Sequence, residues 1–204
     1  YVSVSSFSAN TTEQFDLALQ RMQDARVKGL VIDLRGNGGG LLDTAKEMLS
    51  RFVEDKLIVK LKMADGAVSE ERTMLGYKKN LNIPIVVLLN SESASASEIF
   101  AGVLGDYKIA TLVGEHTFGK MSVQNLFVLL DSSSAKITIA RYYIPSGRDF
   151  SRKVDEDGVY VGGGLAPDIL VKYRPLPKKD PKSIVPNDTQ LQRAIQVIRE
   201  KTAA

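Results

Sequence analysis

Apolar positions along the first half of the chain come in two alternating kinds. Short unbroken runs at residues 30–34 (LVIDL), 83–89 (IPIVVLL) and 109–113 read as strands buried on both faces. Between them the apolar residues recur at helical spacing. Phe15, Ala18, Leu19, Met22 and Ala25 mark one helix, with Thr11 and Thr12 as candidate N-caps and Gly29 as its stop. Leu42, Ala45, Met48, Leu49 and Phe52 mark a second, and residues 95–104 a third. Residues 1–7 read as an opening strand. Strands alternating with helices in this way predict an α/β domain with parallel pairing.

The pattern then changes. Residues 56–63 alternate, Asp65-Gly66 supplies a turn, and residues 67–74 return, so a hairpin is expected. A second hairpin joins residues 126–130 to 136–144 around Ser132, Ser133 and Ser134. Gly162–Gly164 reads as a loop before a strand at 168–171. A last helix carries Leu191, Ala194, Ile195 and Ile198 on one face. Residues 1–174 are expected to form one core. Residues 175–204 are expected to form a proline-rich basic linker (PLPKKDPK) and a helix that packs back on that core.

Composition narrows the chemistry. The chain has 204 residues and 44% hydrophobic content, enough for one sizeable core. A net charge of +3, with its basic run free of aromatic residues, does not suggest a nucleic-acid surface. No apolar run approaches the ~20 residues of a membrane-spanning helix. There is no cysteine, which excludes disulfides, thiolate metal sites and a cysteine nucleophile. No HExxH or clustered His/Asp pattern suggests a metal centre. The chain opens on Tyr1 without a leader, as a mature or excised fragment would.

Two segments carry candidate chemistry. Residues 93–99 (SASASEI) place Ser95 where a buried strand turns into a helix. The unpaired N–H groups of a helix start can hold an oxyanion there. Ser95 and Glu98 also fit an S-x-x-E capping box, and Ser91, Ser93 and Ser97 compete for either role. Residues 119–124 (GKMSVQ) offer Lys120 and Gln124, four apart and therefore expected on the same side. A lysine can act as a base where burial disfavours its charged form, and a neutral glutamine can hold the amine without opposing that effect. A surface lysine is the plainer reading. The single histidine, His116, is a rival base. The glycine loop RGNGGG, residues 35–40, lacks the third glycine of a dinucleotide fingerprint. A phosphate loop, a tight turn and a close approach of backbone to substrate all remain open.

Taken together, VIDLRGNGGGLL, IVVLLNSESASASEIFAG, GEHTFGKMSVQ, YYIPSGR, GLAPDILV and QLQRAI resemble the C-terminal processing peptidases, or tail-specific proteases, in the order that family carries them. The family's spacing of serine, lysine and glutamine selects Ser95, Lys120 and Gln124. The resemblance implies a crotonase/ClpP-like spiral β/α core with added antiparallel hairpins, and endoproteolysis near protein C-termini without metal or cofactor. It implies an oxyanion hole from the N–H groups of Ala96 and Gly39. It also implies an extracytoplasmic setting, in a bacterial periplasm or envelope or in a thylakoid lumen, and a substrate with an unstructured tail. Family members usually carry a PDZ domain upstream, and the chain opens about where one would end. They usually carry glycine where Met121 stands, and whether its side chain crowds or reshapes the lysine loop stays open. Two other readings share the fold: a non-catalytic peptide-binding pseudoprotease, and a crotonase-type enzyme acting on acyl thioesters. The oligomeric state stays open.

Overall fold

The computed structural model describes residues 1–172, 174 and 188–203. Its centre is a five-stranded parallel sheet of β1 (Val2–Ser3), β2 (Leu30–Asp33), β5 (Ile85–Leu89), β6 (Ala110–Gly114) and β11 (Ile169–Leu170), in the order β1-β2-β5-β6-β11. Side chains alternate between the faces of a strand, so each of these strands feeds two cores. Leu30, Ile32, Ile85, Val87, Leu89 and Leu112 face the larger one. There they meet α1 (Thr11–Asp24), α2 (Leu42–Leu49) and α3 (Ala96–Asp106) through Phe15, Leu19, Met48, Phe100 and Leu104. Val31, Val86, Leu88 and Val113 face the other way, onto Leu191, Ala194 and Val197 of α4 (Thr189–Ala203). A sheet covered on both faces is what unbroken apolar strands predict.

The second sheet is antiparallel. It runs β4 (Val68–Arg72), β3 (Leu57–Met63), β8 (Ser134–Tyr143) and β7 (Ser122–Val128), which leaves β7 as an edge. A small ribbon of β9 (Lys153–Val154) and β10 (Tyr160–Gly162) completes the strands. Among the described residues no helix is long and apolar enough to cross a membrane.

Several expectations shift in register. The opening strand shortens to Val2–Ser3, with a lone bridge from Phe7 to Gly40. Asn10, not a threonine, takes the N-cap position of α1, without a side-chain bond to the helix, and Thr11 sends its hydroxyl back to the carbonyl of Ser6. Gly29 does not stop α1, which ends at Asp24. A Cβ on Gly29 would lie 2.3 Å from Ile198 Cγ2, so this glycine makes room for α4. β7 starts four residues earlier than its apolar run suggests. The basic run at 175–182 lies outside the described residues.

A buried ionic cluster fastens the start of α4 to the end of β2. The Arg35 guanidinium bonds Asp33 and Asp188, with the Asp188 carboxylate 2.7 Å away. The Tyr1 hydroxyl donates to Asp33 at 2.6 Å, and burial beside that carboxylate pushes the phenol up to about 12.

Candidate active site

Three neighbouring parallel strands each deliver one loop to the same end of the sheet. β2 leads into the glycine loop, β5 into the serine segment and β6 into the lysine segment. Ligand sites in open α/β sheets form at this carboxyl edge. Backbone bonds lock the loops together. The Ala94 N–H donates to the Asn37 carbonyl at 3.0 Å, and the Phe118 N–H to the Ser93 carbonyl at 2.9 Å. The side chain of Asn90, just after β5, accepts from the Gly36 N–H at 3.0 Å.

The competing serines separate by environment. Ser93 is fully buried, and its hydroxyl donates to the Leu34 carbonyl at 2.8 Å. Ser97 is equally buried and donates to the Asn37 carbonyl at 2.8 Å. Both are structural. Ser91 is exposed on the wall of a different cavity. Ser95 alone combines partial exposure with a place at the helix start. Its backbone has φ 56° and ψ −115°, a left-handed geometry that costs an L-residue of order 1–3 kcal/mol and gathers at functional sites.

Ser95 lines a cavity of about 290 Å³ together with Ala96, Gly40, Lys120, Gln124 and Tyr142. The structure therefore brings the predicted serine, lysine and glutamine to one space. The parity argument for Lys120 and Gln124 does not survive in its simple form, because Lys120 precedes β7 and a bulge falls between Val123 and Gln124. Gln124 is exposed, and its amide nitrogen lies 3.4 Å from Thr138 Oγ1. His116 is exposed and faces a separate, larger cavity, away from Ser95.

The oxyanion donors need one correction. Ala96 opens α3, and among the described residues its N–H has no acceptor. The Gly39 N–H is already donated to Asn37 Oδ1 at 2.8 Å. What Gly39 provides is closeness. At φ 103°, a Cβ there would sit 2.7 Å from the Ala94 oxygen and 2.9 Å from Ser95 Cβ. Gly40 is the loop glycine that lines the Ser95 cavity. The bonds from Phe7 N–H to the Gly39 carbonyl and from Leu41 N–H to the Phe7 carbonyl turn the Gly40 N–H away from Phe7.

Glu98 was legible only as half of a helix cap. It is fully buried, and it accepts from the Ser95 N–H at 2.8 Å, the Lys120 N–H at 2.9 Å, the Gly119 N–H at 2.6 Å and the Thr117 hydroxyl. Burial pushes its carboxyl above the usual glutamate range, and those four donors pull it partly back. Tyr142 closes the arrangement from β8. Its hydroxyl donates to the Lys120 carbonyl, with the Ser95 carbonyl 3.3 Å away. Burial, with the Glu98 charge nearby, raises Tyr142 well above the ordinary phenol range, so it remains a donor. Met121 does not crowd the lysine loop. Its side chain turns into the core, where its sulfur meets the Phe150 N–H at 3.2 Å.

The family model for peptidase family S41 matches residues 1–171. A carboxyl-terminal-processing protease of Synechocystis sp. is 33% identical over 198 residues, covering 97% of this chain and 43% of that protein. The carboxy-terminal processing protease CtpB of Bacillus subtilis is 32% identical over 201 residues, covering 95% and 39%. Among solved structures, the photosystem II D1 C-terminal processing protease superposes with a TM-score of 0.72 at 32% identity, over 83% of this chain and 41% of that one. The chain thus spans about two fifths of the length of these relatives, and its α/β core has the crotonase-like form expected of them.

Proposed function

This chain belongs to peptidase family S41, and on that premise we propose that it is a serine endopeptidase acting through Ser95 and Lys120 on the unstructured ends of proteins. One observation carries the reading. The strained backbone of Ser95 is joined to the backbone of Lys120 through both Glu98 and Tyr142, at the rim of a cavity both residues line. That is how a fold holds a nucleophile and a base in fixed relation.

In this mechanism the neutral Lys120 amine takes the Ser95 Oγ proton as Oγ attacks the scissile carbonyl. The carbonyl oxygen becomes an oxyanion, received by the Ala96 N–H, with the Gly40 N–H as the second donor. The intermediate collapses and Lys120 returns the proton to the leaving amine. An acyl-enzyme remains on Ser95, and a water activated by Lys120 hydrolyses it. Gln124 offers its carbonyl oxygen to orient the amine. The chemistry calls for no metal or cofactor.

The substrate lies extended along β7. That strand is an edge of its sheet among the described residues, begins two residues after Lys120 and contains Gln124. Adding a strand there satisfies the peptide's backbone and threads its carbonyl past Ser95. An extracytoplasmic location and an upstream PDZ domain that captures tails belong to the same proposal. The test is cleavage of a disordered protein by this chain and by its Ser95→Ala form. Loss of cleavage with retained folding is expected, and undiminished turnover in the alanine form would end the assignment.

A further inference from the structure

Lys120 borders two cavities. On the far side from the Ser95 pocket lies a second space of about 1050 Å³. The same three loops wall both. Gly38 and Ala94 face the large cavity, while Gly40, Ser95 and Ala96 face the small one. The two spaces therefore meet at Lys120, on loops that also carry the nucleophile. The mechanism above uses only the smaller one.

The large cavity holds a preset cation. The Arg152 guanidinium lies 4.6 Å from the Phe118 ring centre and 4.7 Å from that of Tyr160. Two aromatic contacts restrain a side chain that is otherwise costly to order. The surrounding segments are fixed as well. The Arg152 N–H donates to the Gly119 carbonyl at 2.8 Å, and the Tyr160 hydroxyl to the Gly163 carbonyl at 2.8 Å. Gly164 packs so closely on Thr117 that a Cβ would come within 2.1 Å of its carbonyl oxygen. Yet among the described residues no carboxylate pairs with Arg152. Lys172 adds positive charge to the lining, against Glu92 and Glu115.

We propose that this cavity is a second substrate subsite in which Arg152 anchors a peptide carboxylate. The inference rests on the peptidase reading, since it places the anchor on the chain that Ser95 cleaves. A guanidinium offers a planar fork that matches a carboxylate. Phe118, Val161 and Leu170 offer apolar wall to the side chains leading up to it. The carboxylate has two sources in a peptide, the free C-terminus or an acidic side chain, and the chemistry of the site is the same for both. An anchored terminus would fix the distance from chain end to cleaved bond.

The experiment uses the full chain and three peptides that differ only at the C-terminal residue. One ends in a free carboxylate, one in an amide, and one in an amide with glutamate as its last residue. Cleavage kinetics are measured for the wild type and for Arg152→Gln, and peptide affinity is read by fluorescence anisotropy on Ser95→Ala with and without Arg152→Gln. Losing one charge-assisted contact should raise KM about ten-fold for the plain amide in the wild type. That ratio should fall towards one in Arg152→Gln. Recovery by the glutamate peptide assigns the site to side-chain carboxylates, and its failure to recover assigns it to the terminus. Equal KM values in the wild type, or a preference that survives in Arg152→Gln, would overturn the proposal. If no peptide is cleaved, the peptidase reading fails, and the anisotropy still decides whether Arg152 selects a carboxylate.

Discussion

Replacing Glu98 by glutamine should separate stability from activity. All four groups that reach this carboxylate are donors, three of them backbone N–H groups of Ser95, Gly119 and Lys120. A glutamine has one accepting oxygen, and its amide N–H₂ must confront donors on the other side. Leaving one buried N–H without an acceptor costs about 1–3 kcal/mol. Against that, the substitution removes a buried charge, whose desolvation costs several kcal/mol. The upward shift of Glu98 indicates that desolvation outweighs the four bonds. Net stability at neutral pH should therefore change by no more than about 2 kcal/mol. Catalysis has no such offset. An amide nitrogen at the Oε2 position would release both Ser95 and Lys120, and one at Oε1 would release Gly119, the neighbour of Lys120; either way the lysine segment shifts against Ser95, and a displacement near 1 Å can cost about 100-fold in kcat.

The pH dependence has a defined sign. A carboxyl whose folded pKa is raised contributes stability that is fully present below its unfolded value and is lost as the pH rises through the folded one. Glutamine has no such slope, so the stability difference between wild type and Glu98→Gln should move in favour of the variant as the pH rises. Urea unfolding across a pH series and peptide cleavage at neutral pH measure the two effects. The amide resonances of Ser95, Gly119 and Lys120 should titrate together in the wild type and not in the variant. A glutamine form that cleaves at the wild-type rate would refute the clamp. One that fails to fold at neutral pH would refute the desolvation argument.

Gly39→Ala should abolish activity and destabilise the loop by a few kcal/mol, because its Cβ would meet the Ala94 carbonyl and Ser95 Cβ inside van der Waals contact at φ 103°; normal kcat in a folded alanine form would show that this closeness is dispensable. Met121→Gly, which restores the family's usual residue, should not relieve the lysine loop but open the core at Phe150, costing about 3 kcal/mol or more. A rise in activity without loss of thermal stability would show that the side chain does obstruct the site.

The parallel core was legible because its strands are apolar on both faces, and β2, β5 and α3 appear close to where periodicity puts them. β7 was misplaced for the opposite reason. Three of its first four residues, Ser122, Gln124 and Asn125, are polar yet pair in the ladder, whereas Leu126, Phe127 and Val128 pair there too but are exposed at the sheet edge. Hydrophobicity there signals an uncovered surface, not a buried strand. The ribbon of β9 and β10 is too short to leave a period. The Arg35 cluster joins residues 153 positions apart, a link no local pattern contains.

The site divides along a similar line. Spacing picked out Ser95 among four serines without a physical reason, and the reason is tertiary: Ser93 and Ser97 spend their hydroxyls on the carbonyls of Leu34 and Asn37. The S-x-x-E pattern was correct as local structure, since Glu98 does accept from the Ser95 N–H. Its second role depends on Thr117, Gly119 and Lys120, brought in by β6 and invisible from the helix. The two roles are linked energetically. A serine at φ 56° is unfavourable unless its surroundings hold it, and the Glu98 carboxylate does so by binding that residue's N–H while binding the lysine segment with the same oxygen. The cap, the strain and the alignment of Ser95 with Lys120 are consequences of one buried carboxylate.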